Sequence, residues 1–181
     1  MTACFLALVL AAGVSCTSES LGPSDVGSPT PPSTMGASDQ ESSLLLGGLL
    51  NGLQNLHLLS CSPQSYVSVT KVVGPGGGTI LVGTHKLVIP AGALTKNYTI
   101  RAEQVRARVN SVRFSPEGLR FAKPAKLTLS YGNCSPLLLL KRVVYTDELL
   151  RILELIPSLD NLRTRTVTGD IRHFSRYAVA W

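Results

Sequence analysis

The chain has 181 residues, enough for one compact domain with tails. Its net charge of +6 is distributed unevenly along the chain. The only charged residues before Lys71 are four acids, Glu19, Asp25, Asp39 and Glu41. The rest of the chain carries all 17 basic residues and seven acidic ones, a net charge of +10. Aromatic residues make up 6% of the chain and do not interleave with the cations, which argues against RNA binding by base stacking. We therefore expect a solvated basic surface and no nucleic-acid partner; the alternative is a basic patch for phosphate, lipid headgroups or nucleic acid.

The amino-terminal segment, residues 1–15, has the features of a secretion signal. Its sequence is MTACFLALVLAAGVS, in which an apolar run from Phe5 to Val14 ends in small residues just before Cys16. The run is too short to cross a bilayer as a helix of the mature protein. We therefore predict that residues 1–15 form a signal peptide and that the protein is exported.

The residues around the predicted cleavage site resemble a lipobox. Gly13, Val14 and Ser15 precede Cys16, as small residues precede the modified cysteine of bacterial lipoproteins. The resemblance implies that Cys16 carries a lipid and becomes the new amino terminus, which would hold the protein on a bacterial membrane. The alternative is an ordinary cleaved signal that leaves Cys16 as a free thiol.

The remaining cysteines favour export as well. Cys4 leaves with the signal and Cys16 takes the lipid, so Cys61 and Cys134 are an even pair in the mature chain. Disulfides persist in oxidising compartments. We predict that Cys61 and Cys134 are bonded to each other.

Two further segments precede the predicted domain. Residues 16–43 are rich in Ser, Pro, Gly and Thr and are predicted to form a disordered, lipid-anchored linker. Residues 44–60 place leucines at helical spacing, although each of three glycines costs about 1 kcal/mol relative to alanine. We predict a short amphipathic helix that covers one face of the following domain; lying on the membrane or pairing with a second copy is the alternative.

Residues 61–181 carry the pattern of an antiparallel β-sandwich. Short apolar stretches alternate with turn signals, among them Gly83 and Thr84, which predict a hairpin. Residues 147–156, DELLRILELI, fit either a strand or one or two helical turns. The predicted strands are residues 66–73, 79–82, 85–89, 98–103, 111–114, 119–121, 126–131, 138–146, 152–155, 163–167 and 171–181.

Four pieces of this region resemble the ZU-five domain, the β-sandwich module of zonula occludens proteins, Unc-five netrin receptors and ankyrins. In chain order they are GPGGGTI, LVIPAGAL, FSPEGLRFAKPAKLTLSY and HFSRYAVAW, within residues 72–181. The pattern is most similar to the lipoprotein version of bacterial envelopes. The resemblance implies a protein interaction module without small-molecule chemistry.

One tripeptide carries a candidate reaction. In some ZU-five domains the sequence His-Phe-Ser cleaves its own chain, and here it is His173, Phe174 and Ser175. Ser175 would attack the Phe174 carbonyl with His173 as the base, an ester would replace the amide, and water would open the ester. We favour the alternative, a plain closing strand that has no catalytic role. Its predicted faces are His173, Ser175, Tyr177, Val179 and Trp181 on one side and Phe174, Arg176, Ala178 and Ala180 on the other.

The sequence therefore predicts a lipid-anchored protein of the bacterial cell envelope, attached to the outer membrane, that displays a non-catalytic β-sandwich interaction or structural module. The expected partners are the membrane, through the lipid on Cys16, and an envelope protein or polymer. We expect no cofactor and no metal site. The alternatives are a self-processing module cut between Phe174 and Ser175 and a secreted binding domain without a lipid.

Overall fold

The computed structural model describes residues 55–181, and the regular secondary structure within this range consists of eleven β-strands. The predicted signal peptide, the linker, Cys16 and residues 44–54 lie outside the described residues. Among the described residues, no helix is long and apolar enough to span a membrane. The strands are β1 Val67–Val73, β2 Gly78–Val82, β3 His85–Ile89, β4 Tyr98–Gln104, β5 Ser111–Ser115, β6 Arg120–Ser130, β7 Arg142–Thr146, β8 Ile152–Ile156, β9 Ser158–Asn161, β10 Thr166–His173 and β11 Arg176–Ala180.

The strands form two antiparallel sheets, and the predicted all-β sandwich is confirmed. One sheet has six strands in the order β1-β4-β5-β11-β7-β8, and the other has five in the order β2-β3-β6-β10-β9. Apolar side chains of both sheets share one core, as alternation along each strand requires. On β6, for example, Ala125, Leu127 and Leu129 point inward and are fully buried.

The predicted hairpin turn joins β2 to β3. Gly83 has a φ of 57° there, a conformation that residues with a Cβ rarely adopt. A Cβ on Gly83 would also collide with the side-chain amide of Gln104, which lies over the turn. The two strands pair in register from Gly78 opposite Ile89 to Val82 opposite His85.

The last predicted strand, residues 171–181, is in fact two strands in different sheets. β10 belongs to the five-stranded sheet and β11 to the six-stranded sheet, and the chain crosses between them at Phe174 and Ser175. The register of β10 also shifts between Ile171 and His173. The predicted faces are therefore wrong, since Phe174 and Tyr177 lie in the same core.

The other boundaries differ in smaller ways. Predicted strands 119–121 and 126–131 are one long strand, β6, and the short edge strand β9 was not predicted. The ambiguous segment 147–156 is a turn followed by β8. The predicted strand 138–146 begins only at Arg142, because residues 137–140 form an exposed loop.

The described end of the predicted helix over residues 44–60 is extended, which corrects that prediction for residues 56–60. The Leu59 N–H donates to the Val179 carbonyl at 2.9 Å, and the Trp181 N–H donates to the His57 carbonyl at 3.0 Å. Residues 57–59 thus pair with the end of β11. The last residue of β11 that pairs with β5 is Ala178, and residues 57–59 pair with β11 beyond it. Leu56 and Leu58 pack against a small cluster formed by Val144, Ala178 and Ala180.

Candidate functional site

The His-Phe-Ser tripeptide lies at the crossover between the two sheets. The Phe174 ring stacks on Phe114 with ring centroids 5.2 Å apart and meets the Phe121 ring edge-on at 5.0 Å. Its N–H donates to the Leu119 carbonyl at 2.8 Å, and its carbonyl accepts from the Gly118 N–H at 2.9 Å. Phe174 is therefore anchored in the core by its ring and by both of its backbone polar groups.

His173 is half-buried and is held by two tyrosines. The Tyr177 hydroxyl donates to the His173 carbonyl at 2.7 Å, and the Tyr145 ring meets the imidazole edge-on at 5.1 Å. Burial raises the pKa of Tyr177 well above its usual value, so this hydroxyl stays a donor. His173 Nδ1 lies 3.5 Å from the Phe174 carbonyl oxygen.

Ser175 is 4% exposed, and its carbonyl accepts from the Phe114 N–H at 3.1 Å. Within the described residues, no hydrogen bond joins the Ser175 hydroxyl to His173. The candidate base, His173, therefore lies near the Phe174 carbonyl, which belongs to the peptide bond that would be cut. The self-cleavage reaction would begin with a contact between the Ser175 hydroxyl and His173, and the structure does not show that contact. The Gly118 N–H is placed to stabilise negative charge on that carbonyl oxygen.

Two adjoining cavities flank the tripeptide. One, of about 260 Å³, reaches from Glu117 and Gly118 to Ser175, and the other, of about 550 Å³, opens toward Glu154 and Arg172. His173 lines both cavities. Over residues 55–181, no group of three or more His, Cys, Asp or Glu side chains is arranged to hold a metal ion.

The opposite end of the sandwich contains the predicted disulfide. Cys61 and Cys134 are bonded, which ties the first described residues to the loop between β6 and β7. The Cys61 N–H donates to the Arg108 carbonyl at 2.8 Å, and the Asn133 side-chain amide donates to the Ser62 carbonyl at 2.6 Å. A polar cavity of about 440 Å³ opens beside the disulfide.

Next to the disulfide, residues 137–140 are four consecutive leucines, here called the leucine loop. All four are exposed, Leu138 at 97%. Leu137 and Leu138 line a cavity of about 210 Å³ together with Leu162 and Arg165. Single exposed leucines are common on protein surfaces, whereas contiguous exposed apolar patches are uncommon on soluble monomers.

Lys141 holds the leucine loop from inside. It is 1% exposed, and its ammonium donates to the Leu137 carbonyl at 2.8 Å and to the Leu139 carbonyl. The ammonium also lies 5.7 Å from the centre of the Tyr131 ring, a cation–π contact. The Lys141 N–H donates to Asp160, which also accepts from the Tyr131 hydroxyl at 2.6 Å. The Leu137 and Leu139 carbonyls are thus satisfied beneath the loop, while the four leucine side chains are exposed.

The outer face of the six-stranded sheet carries a network of charges that sequence analysis did not find. The Glu103 carboxylate accepts from the Tyr66 hydroxyl and from the Arg113 guanidinium and pairs with Arg101 at 2.9 Å. The Tyr66 hydrogen bond and, after it, Arg113 lower the pKa of Glu103. These arginines are paired and therefore form no free patch for an anion.

The leucine loop and Lys141 were also missed. The usable signal was the run of leucines after Pro136, which does not alternate with polar residues although the neighbouring strands do. No signal in the sequence pointed to the burial of Lys141, because its partners are backbone carbonyls and an aromatic ring and not an acidic side chain.

No protein-family model matches the chain, and no curated protein matches it.

Proposed function

We propose that this is an exported protein that displays its β-sandwich as a non-catalytic interaction module and contacts its partner through the leucine loop. The observation that carries the proposal is the loop itself. Four adjacent leucines are exposed, and a buried lysine beneath them donates to the carbonyls of two, Leu137 and Leu139. A loop with only a connecting role would gain more stability by turning those leucines toward the core.

Export is supported by the bond between Cys61 and Cys134, since structural disulfides persist in oxidising compartments. The lipid on Cys16, the location in the bacterial outer membrane and the relationship to ZU-five domains rest on sequence resemblance.

Photo-crosslinking in the producing cells tests the interaction. A photoreactive residue at Leu138 is compared with one at Leu149, which is 77% exposed in the turn between β7 and β8, at the other end of β7 from the leucine loop. We expect discrete adducts from position 138 and none from position 149. Equal adducts at both positions, or none at position 138, would contradict the proposal.

The lipid anchor is tested by detergent phase partition. The wild-type protein should enter the detergent phase and a Cys16→Ser variant the aqueous phase. If both forms partition alike, the protein is a secreted domain without a lipid, and the interaction module can still stand.

Self-processing is the second candidate, favoured by the Gly118 N–H that donates to the Phe174 carbonyl. β11 lies between β5 and β7, so the carboxy-terminal fragment would stay bound after cleavage. Intact mass under denaturing conditions therefore decides the question. Loss of residues 175–181 from the wild type, but not from Ser175→Ala, would establish cleavage, and an intact wild-type chain rules it out.

A further inference from the structure

Three backbone polar groups of the leucine loop are satisfied from within the protein. Its carbonyls at Leu137 and Leu139 accept from the buried Lys141 ammonium, and the Leu137 N–H donates to the Ser135 carbonyl at 2.9 Å. A loop that leaves water must have its backbone polar groups satisfied from within the protein. The leucine loop meets this requirement at the three groups named, while its side chains stay exposed.

Two arginines without an ion pair among the described residues lie at the same end of the sandwich as the leucine loop. Arg163 lies in the turn between β9 and β10, next to Leu162, and Arg108 lines the cavity beside the disulfide. Within the described residues, neither arginine makes an ion pair. The carboxylate of this region, Asp160, is engaged by Tyr131 and by the Lys141 N–H. Apolar side chains with a basic rim fit a membrane surface that carries anionic lipid.

The chain also connects to the body at this end. Ala180 pairs with Arg142, two residues after the leucine loop, and the next residue, Trp181, pairs with His57. The described part of the chain therefore begins at the same end of the sandwich as the leucine loop.

We propose that the leucine loop inserts into the headgroup region of a bilayer containing anionic lipid, with Arg163 and Arg108 against the lipid phosphates. This inference rests on the proposed interaction function and names the partner of the same surface. A protein partner and a second copy of the chain are the outcomes that would overturn it.

Sedimentation with vesicles tests the inference. The full chain carrying Cys16→Ser, which removes the lipid attachment residue, is mixed with vesicles of phosphatidylglycerol and phosphatidylcholine or of phosphatidylcholine alone. Leu138→Ser should weaken binding about tenfold or more, because burial of one leucine accounts for at least that factor. Leu149→Ser, the matched exposed leucine, should bind as the parent does. Arg163→Gln should weaken binding to the anionic vesicles only, and added salt should remove that difference.

Equal vesicle binding by the parent and Leu138→Ser, or no binding by either, overturns the inference. If photo-crosslinks from position 138 then reach a protein, the interaction module stands and only its lipid partner is wrong. A parent that is dimeric by light scattering, and that Leu138→Ser makes monomeric, overturns the inference in favour of self-association. Equal thermal midpoints of the variants confirm that the loop changes leave the fold intact.

Discussion

Removal of the disulfide has a magnitude that follows from the structure. The bond joins residues 73 positions apart in the chain. In the chain-entropy model, closure of a loop of that length stabilises the folded protein by about 4 kcal/mol. Dividing this free energy by the unfolding entropy of a domain of roughly 130 residues gives the shift in the thermal midpoint. We expect the midpoint of a Cys61→Ser, Cys134→Ser variant to be lower by about 15 °C.

The assay is thermal unfolding of the wild type and the double variant, each with and without dithiothreitol. Reductant should lower the midpoint of the wild type to near that of the variant and leave the variant unchanged. This comparison separates loss of the bond from any cost of the two new hydroxyl groups. A change below about 3 °C in the wild type, or two free thiols in the exported protein, would refute the reasoning and remove the support for export.

Two further predictions concern buried groups. Burial lowers the pKa of His85 to about 4, so its folded form resists protonation, and about 3 kcal/mol of stability should be lost as the pH falls from about 6.5 to 4. Urea unfolding at several pH values should show this loss in the wild type and not in His85→Gln. If the free energy of unfolding falls equally steeply with pH in both proteins, the prediction is contradicted. Phe174→Ala should cost about 3–5 kcal/mol in urea unfolding because it empties the space between Phe114 and Phe121. Phe174→Leu should cost less, and a neutral Phe174→Ala would show that the crossover is not anchored by this ring.

Local signals in the sequence predicted much of the fold. His85, Leu87 and Ile89 of β3 are buried, Lys86 is exposed and Val88 is half-buried, and the turn before β3 needs the positive φ of Gly83. These features depend on neighbours within a few residues, and the predicted bounds of β3 are those of the structure. The predicted disulfide is also present, because the cysteine count left a single pair.

Features that depend on distant partners were not predictable. The helical spacing of the leucines in residues 44–60 suggested a helix, but residues 57–59 pair with the end of β11 instead. Phe174 and Tyr177 share the core because the chain changes sheets between them, which period-two alternation does not foresee. The leucine loop was predicted as the start of a strand, since hydrophobicity alone does not separate an exposed loop from a buried strand.

The most direct test of the interaction surface is hydrogen exchange at the leucine loop, measured by mass spectrometry on the protein in isolated envelope membranes and on the protein free in buffer. Amides of residues 137–140 should exchange more slowly in the membranes, whatever the partner, while those of residues 148–150 should be unchanged. Equal exchange at the leucine loop in both states would contradict the assignment of this end of the sandwich as the contact surface.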